Sequence, residues 1–294
     1  MTDRQQIEAI IKRHAPCDGT FETKLPGLRL IRCSTPTLPM PVIYEPALCL
    51  VAQGRKRATL GTRSFVYDSA NYLIASVDLP VMGAVIEASP EKPYLSMQLD
   101  LDTAELADLA VRYPSNERPS GRNPAGLLLN EVDPGIIDAA TRLLKLLDTP
   151  QDIDALAPLA KREILYRLIT GASGHDVRRI AHAGTHLTQI ARAILWIREH
   201  YREQCPVETA AEVAGMSRST FYTHFKAITN MSPLEFRTQL RLQEARRLML
   251  SDGLDAATAG FQVGYGSPSQ FSREYTRVFG TPPATHINSL RQLP

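Results

Sequence analysis

The first hundred residues alternate between short apolar segments and turn-forming residues. Residues 4–14 form one amphipathic stretch, which predicts a short helix. Beyond Gly19, apolar segments recur at short intervals and are separated by turn signals such as Gly61 and Asp68-Ser69. The segments are Leu28–Arg32, Ala47–Ala52, Lys56–Leu60, Arg63–Tyr67, Tyr72–Ser76, Val81–Glu87 and Tyr94–Asp100. Regularly spaced short strands of this kind predict a small antiparallel barrel or sandwich.

Helical spacing replaces this pattern after Thr103. It predicts helices over Thr103–Val111, Pro134–Asp148, Asp152–Thr170 and Thr188–Tyr201. The second of these begins with Asp133-Pro134, and proline is favoured at the first position of a helix. The segment Tyr113 to Ala125 is rich in Pro, Ser and Asn and predicts a loop, and Gly171–Gly174 predicts a break.

Residues 210–233 and 260–283 are imperfect copies of one pattern, offset by fifty positions. The matches are Val213 with Val263, Ser217 with Ser267, Ser219 with Ser269, Phe221 with Phe271, Phe225 with Tyr275, and Pro233 with Pro283. Each copy contains an apolar helix, a break with glycine, a serine cap and a second helix with aromatics four residues apart. This is the layout of a helix-turn-helix. Pro233–Leu250 predicts one helix of roughly 27 Å that holds the two copies apart.

The second helix of each copy has a polar outer face. It carries Arg218, Ser219, Tyr222, Thr223 and Lys226 in the first copy, and Ser269, Gln270, Ser272, Arg273, Thr276 and Arg277 in the second. These side chains can bond to base edges and phosphates. A polar outer face also occurs on helix pairs that meet only water. Two copies with matching caps and aromatics favour the interpretation that the faces bind DNA.

Composition and charge are consistent with a two-domain globular protein. The chain has 294 residues, of which 44% are hydrophobic and 22% charged, with a formal net charge of +2. From Leu187 onward 12 Lys and Arg stand against 9 Asp and Glu, so the C-terminal third is mildly basic. This surplus fits a DNA-binding protein with local phosphate contacts. No apolar run could span a bilayer and Met1 to Ala15 lacks a leader pattern, so we expect no membrane association and a cytoplasmic protein.

Candidate chemistry of other kinds is sparse. Cys17, Cys33, Cys49 and Cys205 form no C-x-x-C pair, so we expect isolated reduced thiols, with a redox- or electrophile-sensing thiol as the alternative. Only His14 precedes residue 175, and it lies before the predicted strands. The sequence therefore predicts no metal site, no cofactor and no catalytic residues.

The stretch from Thr188 to Ile287 resembles the DNA-binding domain of the AraC/XylS family of bacterial transcription regulators. The resemblance is carried by residues 211–226, by residues 263–273 with the run Val-Gly-Tyr-Gly-Ser, and by residues 279–283. It implies base readout by Ser219, Tyr222, Thr223, Ser269, Ser272 and Arg273, and phosphate contacts by Arg218, Thr220, Lys226, Gln270 and Arg277. Arg273 is the strongest base-reading candidate because arginine can bond a guanine edge with two hydrogen bonds. The chain departs from the family at residues 259–261, so we expect a shorter or less stable support helix there.

Residues 44–56, 72–80 and 87–90 are similar to the cupin-like N-terminal domain of one subgroup of that family. The resemblance implies that this domain senses an effector and helps the protein to dimerise. Candidate pocket residues are Tyr44, Arg55, Tyr72, Met82 and Tyr94, with ordinary core or surface positions as the alternative. The resemblance places a dimer contact on the helix Pro134–Asp148, through Ile136, Leu143 and Leu147. The alternative is that this helix packs on its own barrel or on Asp152–Thr170.

The sequence thus predicts an α+β protein. A cupin-like β-barrel with trailing helices occupies residues 1–175, a linker 176–187, and an all-helical double helix-turn-helix domain 188–294. The predicted function is sequence-specific regulation of transcription, activation by family habit, as a homodimer that binds double-stranded DNA, RNA polymerase and a small-molecule effector. The predicted DNA site has two boxes about 10 base pairs apart. The rivals are a metabolite-binding or catalytic cupin with an incidental helical appendage, and a DNA-binding protein whose barrel is only a dimer scaffold.

Overall fold

The computed structural model describes residues 2–114, 126–171, 174–181, 185–203 and 206–291. The chain divides into two compact units. The N-terminal unit comprises residues 1–188 together with 227–230, and the C-terminal unit comprises residues 189–226 and 231–294. None of the helices in the described ranges is long and apolar enough to cross a membrane.

Ten strands form two antiparallel sheets in the described part of the N-terminal unit. They are β1 (Gly19–Glu22), β2 (Leu28–Cys33), β3 (Met40–Tyr44), β4 (Ala47–Gln53), β5 (Arg55–Leu60), β6 (Arg63–Asp68), β7 (Asn71–Ala75), β8 (Leu79–Glu87), β9 (Tyr94–Asp100) and β10 (Leu127–Glu131). The larger sheet has the order β1-β2-β9-β4-β7-β10 and the smaller sheet β3-β8-β5-β6. The predicted β-rich domain is confirmed. The closed barrel is corrected to two open sheets, because the edge strands of each sheet pair on one side only among the described residues.

One face of the larger sheet is mainly apolar and packs against helices. Because side chains alternate along a strand, Leu48 and Leu50 of β4 lie on the same face as their cross-strand partners Leu99 and Met97 of β9. All four are buried. The helix α1 (Asp3–His14), which begins with a capping box at Thr2, contacts β2, β4 and β9. We call this face of the larger sheet the helix face. The main core of the N-terminal unit therefore lies between the helix face and the helices.

Four further α-helices lie in the described part of this unit: α2 (Thr103–Arg112), α3 (Pro134–Lys145), α4 (Ile153–Thr170) and α5 (Gly174–Ala181). The apolar stripe of α3 is covered by α1 and α4 of the same chain. Ile136, Leu143 and Leu147 are only 2%, 0% and 6% exposed. The expected dimer contact through these three side chains is therefore corrected, because they belong to the core of one chain. The alternative, packing on the helix that follows, matches the structure.

The region expected as a linker, residues 176–187, is largely helical where the structure describes it. It contains most of α5 and the start of α6 (His186–His200). The helix α5 is held by Arg178, whose guanidinium donates to the carbonyl oxygens of Ile169, at 3.1 Å, and Ala110, at 3.2 Å. Of the predicted loop Tyr113 to Ala125, all but the first two residues lie outside the described ranges, as does Cys205.

The C-terminal unit is helical. After α6 it contains α7 (Val207–Ala214), α8 (Arg218–Thr229), α9 (Pro233–Ser251), α10 (Ala256–Gln262), α11 (Pro268–Phe279) and α12 (Pro283–Arg291). The helix α9 begins with a capping box between Ser232 and Glu235. Its first half packs Phe236 against Phe225 of α8, with ring centroids 5.4 Å apart. Its second half, including Leu242 and Met249, joins a core with α10, α11 and α12. One helix thus supports both predicted helix-turn-helix units, as the sequence predicts.

Candidate nucleic-acid interface

The first helix-turn-helix consists of α7, a tight turn and α8. The turn is made by Gly215, whose φ of 66° and ψ of 37° lie in the left-handed region that favours glycine. The next amide, of Met216, donates to the carbonyl oxygen of Ala211 at 3.0 Å and closes the end of α7. The hydroxyl of Ser217 then accepts from the Thr220 amide at 3.3 Å and caps α8. The predicted turn and cap are therefore both present.

The second helix-turn-helix consists of α10, a longer turn and α11. The helix α10 has seven residues and α7 has eight. Gly264 takes the left-handed position with φ 91°, and a Cβ there would lie 2.0 Å from the carbonyl oxygen of Arg202. Ser267 caps α11 by accepting from the Gln270 amide at 3.4 Å, and Pro268 is the first helical residue. The same layout is thus built with different turn residues.

Aromatic side chains fix the inner face of each recognition helix. Phe221 and Phe225 of α8 are fully buried with ring centroids 5.3 Å apart. Phe271 and Tyr275 of α11 are buried in the same way at 5.5 Å. Phe271 also packs on Gly260, where a Cβ would lie 2.9 Å from the Cγ atom of the ring. The departure from the family at residues 259–261 therefore has a packing role, because glycine admits the aromatic ring.

The outer faces of α8 and α11 are accessible to solvent. All eleven side chains predicted to contact DNA are exposed or half-buried, and none is in the core. The half-buried ones are Tyr222 and Ser272, and the exposed ones are Arg218, Ser219, Thr220, Thr223, Lys226, Ser269, Gln270, Arg273 and Arg277. Burial of the aromatic faces therefore turns the polar faces outward, as a DNA-reading surface requires.

The two outer faces differ in electrostatics. In the first unit Arg218 forms an ion pair with Glu208 of α7 at 2.7 Å, and Lys226, the other cation of the predicted set there, pairs with no carboxylate among the described residues. In the second unit Arg273 and Arg277 form no ion pair with any described residue. The second recognition helix therefore presents two free guanidinium groups, and the first presents one free ammonium group.

Glu235, at the start of α9, carries a charge that both recognition helices affect. Hydrogen bonds from the backbone and side chain of Ser232 hold the pKa of this carboxyl below its ordinary value. The positive charges of Lys226 and Arg277 lower that pKa further. Glu235 therefore stays ionised at neutral pH and moderates the positive potential near these two side chains.

The predicted effector-pocket residues lie in three different places. Arg55 is on the outer face of the smaller sheet, where it pairs with Asp68 at 3.5 Å and Glu87 at 3.4 Å. Met82 lies on the same outer face, opposite Thr59. Tyr72 lies opposite Leu50 on the helix face of the larger sheet, where burial raises its pKa to about 12. These three side chains therefore do not form one pocket.

Tyr44 and Tyr94 do come together, between the two sheets. The hydroxyl of Tyr44 lies 3.2 Å from that of Tyr67, and Tyr94 neighbours Lys56 and Cys49. The sequence did not group Lys56 with these two tyrosines. The alternation Lys56, Ala58, Leu60 along β5 was the signal that could have found it, because Ala58 and Leu60 are fully buried on the same face.

Other chemistry is limited within the described ranges. Cys17, Cys33 and Cys49 are free thiols. No group of three or more His, Cys, Asp and Glu side chains there is placed to hold a metal ion. The outward-facing polar side chains of α8 and α11 point to recognition of nucleic acid by the C-terminal unit.

Comparison with known proteins agrees with this geometry. The family profile described as "AraC-type transcriptional regulator N-terminus" matches residues 24–176, and a helix-turn-helix domain profile matches residues 210–289. The transcriptional activator RhaS of Salmonella schwarzengrund is 24% identical over 233 residues, 76% of this chain and 74% of RhaS. RhaS of Salmonella agona is 25% identical over 234 residues, with the same coverage. The crystal structure of ToxT from Vibrio cholerae O395 superposes with a TM-score of 0.53 at 12% identity, covering 90% of this chain and 98% of ToxT, and so shares the fold.

Proposed function

Because this chain belongs to the AraC-type transcriptional regulators, we propose that it is a cytoplasmic transcription activator whose DNA binding responds to a small-molecule effector. The observation that carries the proposal is the pair of helix-turn-helix units. Their buried aromatic faces turn eleven predicted DNA-contacting side chains toward solvent, and three of the cations among these have no ion partner in the described residues. Such surfaces match base edges and phosphates in the major groove.

The proposed division of roles on the DNA follows from side-chain chemistry. Arg273 reads a guanine through two hydrogen bonds, and Ser219, Tyr222, Thr223, Ser269 and Ser272 supply shorter donors and acceptors for other base edges. Lys226 and Arg277 contact phosphates, together with Arg218, Thr220 and Gln270. To contact a phosphate, the guanidinium of Arg218 must break its ion pair with Glu208 or bond to both groups at once. The two units occupy two boxes of one site, about 10 base pairs apart.

We assign the control of DNA binding to the N-terminal unit. An effector that binds one arrangement of this unit more tightly than another shifts the population toward that arrangement. The shift changes how a homodimer places its recognition helices and how it engages RNA polymerase. The apolar stripe of α3 is buried within one chain, so dimer formation is tested directly, by a mass twice the 32.6 kDa of one chain. The proposal assigns the protein no catalytic role.

A salt titration of DNA binding tests the proposed function. Full-length protein is titrated onto a labelled duplex recovered from a random DNA pool and onto a scrambled duplex. Affinity for the recovered duplex should exceed that for the scrambled one by about 10³-fold or more, and should fall linearly with log salt concentration. Lys226→Ala should reduce the salt slope by about 1 and weaken binding to both duplexes equally. A metabolite-binding or catalytic protein with an incidental helical domain would yield no enriched duplex and no difference between the two.

A further inference from the structure

The side chain of Glu274 on α11 bridges two polar groups of the second helix-turn-helix. Its Oε2 atom accepts from the hydroxyl of Tyr265 at 2.8 Å, and its Oε1 atom accepts from the side-chain amide of Gln270 at 3.2 Å. Gln270 and Glu274 are four residues apart, so they share one face of the recognition helix. The bridge therefore connects a residue of the turn to an exposed side chain at the start of that helix.

Tyr265 is held firmly at its end of the bridge. It is only 4% exposed, and its ring packs edge-on against Phe271. The guanidinium of Arg241 lies 5.6 Å from the Tyr265 ring centroid, and it donates to carbonyl oxygens just after α6, including that of Tyr201 at 2.6 Å. Burial, followed by the hydrogen bond to Glu274, raises the pKa of Tyr265. The hydroxyl therefore keeps its proton and acts as the donor.

The carboxylate of Glu274 fixes which way the Gln270 amide turns. A carboxylate only accepts hydrogen bonds, so Gln270 must present its NH2 group to Glu274. The Gln270 side chain forms no further hydrogen bond with a described residue. The cap of α11 uses only the backbone amide of Gln270, which donates to Ser267. One N–H and the carbonyl oxygen of the Gln270 side chain are therefore left unbonded among the described residues.

These two groups match adenine better than they match the other acceptors of DNA. In the major groove adenine presents the N7 acceptor beside the N6 amino donor, and a glutamine amide can bond to both. Guanine presents two acceptors, N7 and O6, so the amide oxygen would face O6. A phosphate also only accepts, and the Glu274 carboxylate, 3.2 Å from the Gln270 nitrogen, would repel its charge. The bridge therefore favours a base edge over the DNA backbone as the partner of Gln270.

The first helix-turn-helix cannot build the same bridge. The positions fifty residues earlier are Gly215, Thr220 and His224. Gly215 has no side chain to supply a hydroxyl, and the Thr220 hydroxyl lies 2.9 Å from that of Ser217, the cap of α8. Because the first unit forms its turn and both helices without the bridge, the shared layout does not require it. This indicates that the bridge serves the particular role of the second unit.

We propose that Gln270 reads an adenine in the major groove, and that Glu274, held by Tyr265, is the residue that positions it. This inference rests on the proposed function and deepens it, since it names a base and moves Gln270 from the phosphate set to the base-reading set. Arg273 lies three residues further along the same helix, a rise of roughly 4.5 Å. The adenine should therefore lie within about two base pairs of the base that Arg273 contacts.

The test measures base preference by fluorescence anisotropy with full-length protein. The probe is the duplex recovered from a random DNA pool, compared with every single-base substitution of that duplex. The wild type should prefer adenine about 10-fold or more at one position, and Gln270→Ala should lose that preference. Tyr265→Phe keeps the ring and removes only the hydroxyl. It should lower the same preference several-fold and leave the preferences at other positions unchanged.

Tyr275→Phe is the matched control for the hydroxyl. It removes the hydroxyl of another buried tyrosine, which lies 3.1 Å from Nδ1 of His286. Its melting temperature should fall by about as much as that of Tyr265→Phe, and its base preference should not change.

Two substitutions of Glu274 separate charge from position. Both Glu274→Gln and Glu274→Ala remove one negative charge, so both should strengthen binding to a scrambled duplex equally. The glutamine can still accept from Gln270 and donate to the Tyr265 oxygen, so Glu274→Gln should retain most of the adenine preference. Glu274→Ala should lose it.

Three results would overturn the inference. The first is an adenine preference that persists in Gln270→Ala. The second is an equal loss of affinity for every duplex in that variant, as the loss of a phosphate contact would give. The third is the same change of base preference in both tyrosine variants. A wild type that enriches no duplex would contradict the proposed function and this inference with it, whereas an enriched duplex whose base preference does not depend on Gln270 would contradict this inference alone.

Discussion

The two helix-turn-helix units share one layout and differ in how they use it. In the first, Gly215 makes a short turn, and Arg218 is neutralised by Glu208. In the second, the support helix is one residue shorter, glycine at 260 admits the Phe271 ring, and two arginines are unpaired among the described residues. Two copies of one fold can therefore take different roles on the DNA. We expect the second unit to supply most of the base discrimination and the first to supply mainly positioning.

Truncation of Phe271, a buried aromatic side chain of the second unit, has the largest expected effect. Phe271→Ala removes a ring that contacts Tyr265 at 5.3 Å and Tyr275 at 5.5 Å, and leaves a cavity against Gly260. Thermal or denaturant unfolding should show a loss of about 3–5 kcal/mol. Phe221→Ala, at the matching position, should cost a similar amount. The exposed Leu234→Ala is the control and should change stability by less than about 0.5 kcal/mol.

Readout by the second unit is tested with a matched pair of substitutions. Arg273→Ala should weaken specific binding by about 1–3 kcal/mol and relax the preference at one base pair. Thr223→Ala, at the position fifty residues earlier, should cost less, because the Thr223 hydroxyl already bonds to the Ser219 carbonyl oxygen at 3.1 Å. Fluorescence anisotropy on single-base variants of the site measures both. Equal losses for the two variants would remove the proposed division of labour.

Packing of the second support helix is tested at its glycine. Gly260→Ala should destabilise the protein by about 1–2 kcal/mol, because the new Cβ would lie 2.9 Å from the Phe271 ring and something must move. The matching position of the first unit is Ala210, which is also buried. Ala210→Gly should cost about 1 kcal/mol through helix propensity alone. If Gly260→Ala instead stabilises the protein, helix propensity outweighs packing and the account of this departure is wrong.

Release of Arg218 has the smallest expected effect. Glu208→Gln removes an exposed ion pair, which contributes at most about 1 kcal/mol, and makes Arg218 available for a phosphate. DNA affinity should rise slightly and the salt slope should steepen by about 1. The control is Glu212→Gln on the same helix, since Glu212 forms no ion pair with a described residue. A gain of the same size in both variants would mean a general change in net charge.

Local patterns predicted the C-terminal unit well because the features that define both repeats are visible in the sequence. The caps Ser217 and Ser267 and the paired aromatics fix helix boundaries, and each is a short-range feature. The N-terminal unit depends on longer-range information. Strand β3, with Pro41 in it, and helix α5, held by a buried arginine, were missed for that reason.

The predicted effector-pocket residues also depend on long-range strand pairing, which the sequence does not reveal. Residue type alone grouped Arg55 and Tyr72 with Tyr44, although strand register places them on three different faces. Lys56 was not grouped with Tyr44 because the two residues meet only through the pairing of distant strands. The expected dimer surface was wrong because an apolar stripe on α3 does not say whether its partner is another chain or α4.

Selection of DNA sequences from a random pool tests whether the two helix-turn-helix units read one site unequally. Full-length wild type and Arg273→Ala are carried through the same selection. The wild type should select a site of two boxes about 10 base pairs apart. Arg273→Ala should lose base preference at one position, and that position should lie in one of the two boxes while the other box is unchanged. A single enriched box for the wild type, or equal degradation of both boxes in the variant, would contradict the claim that two unequal units read one site.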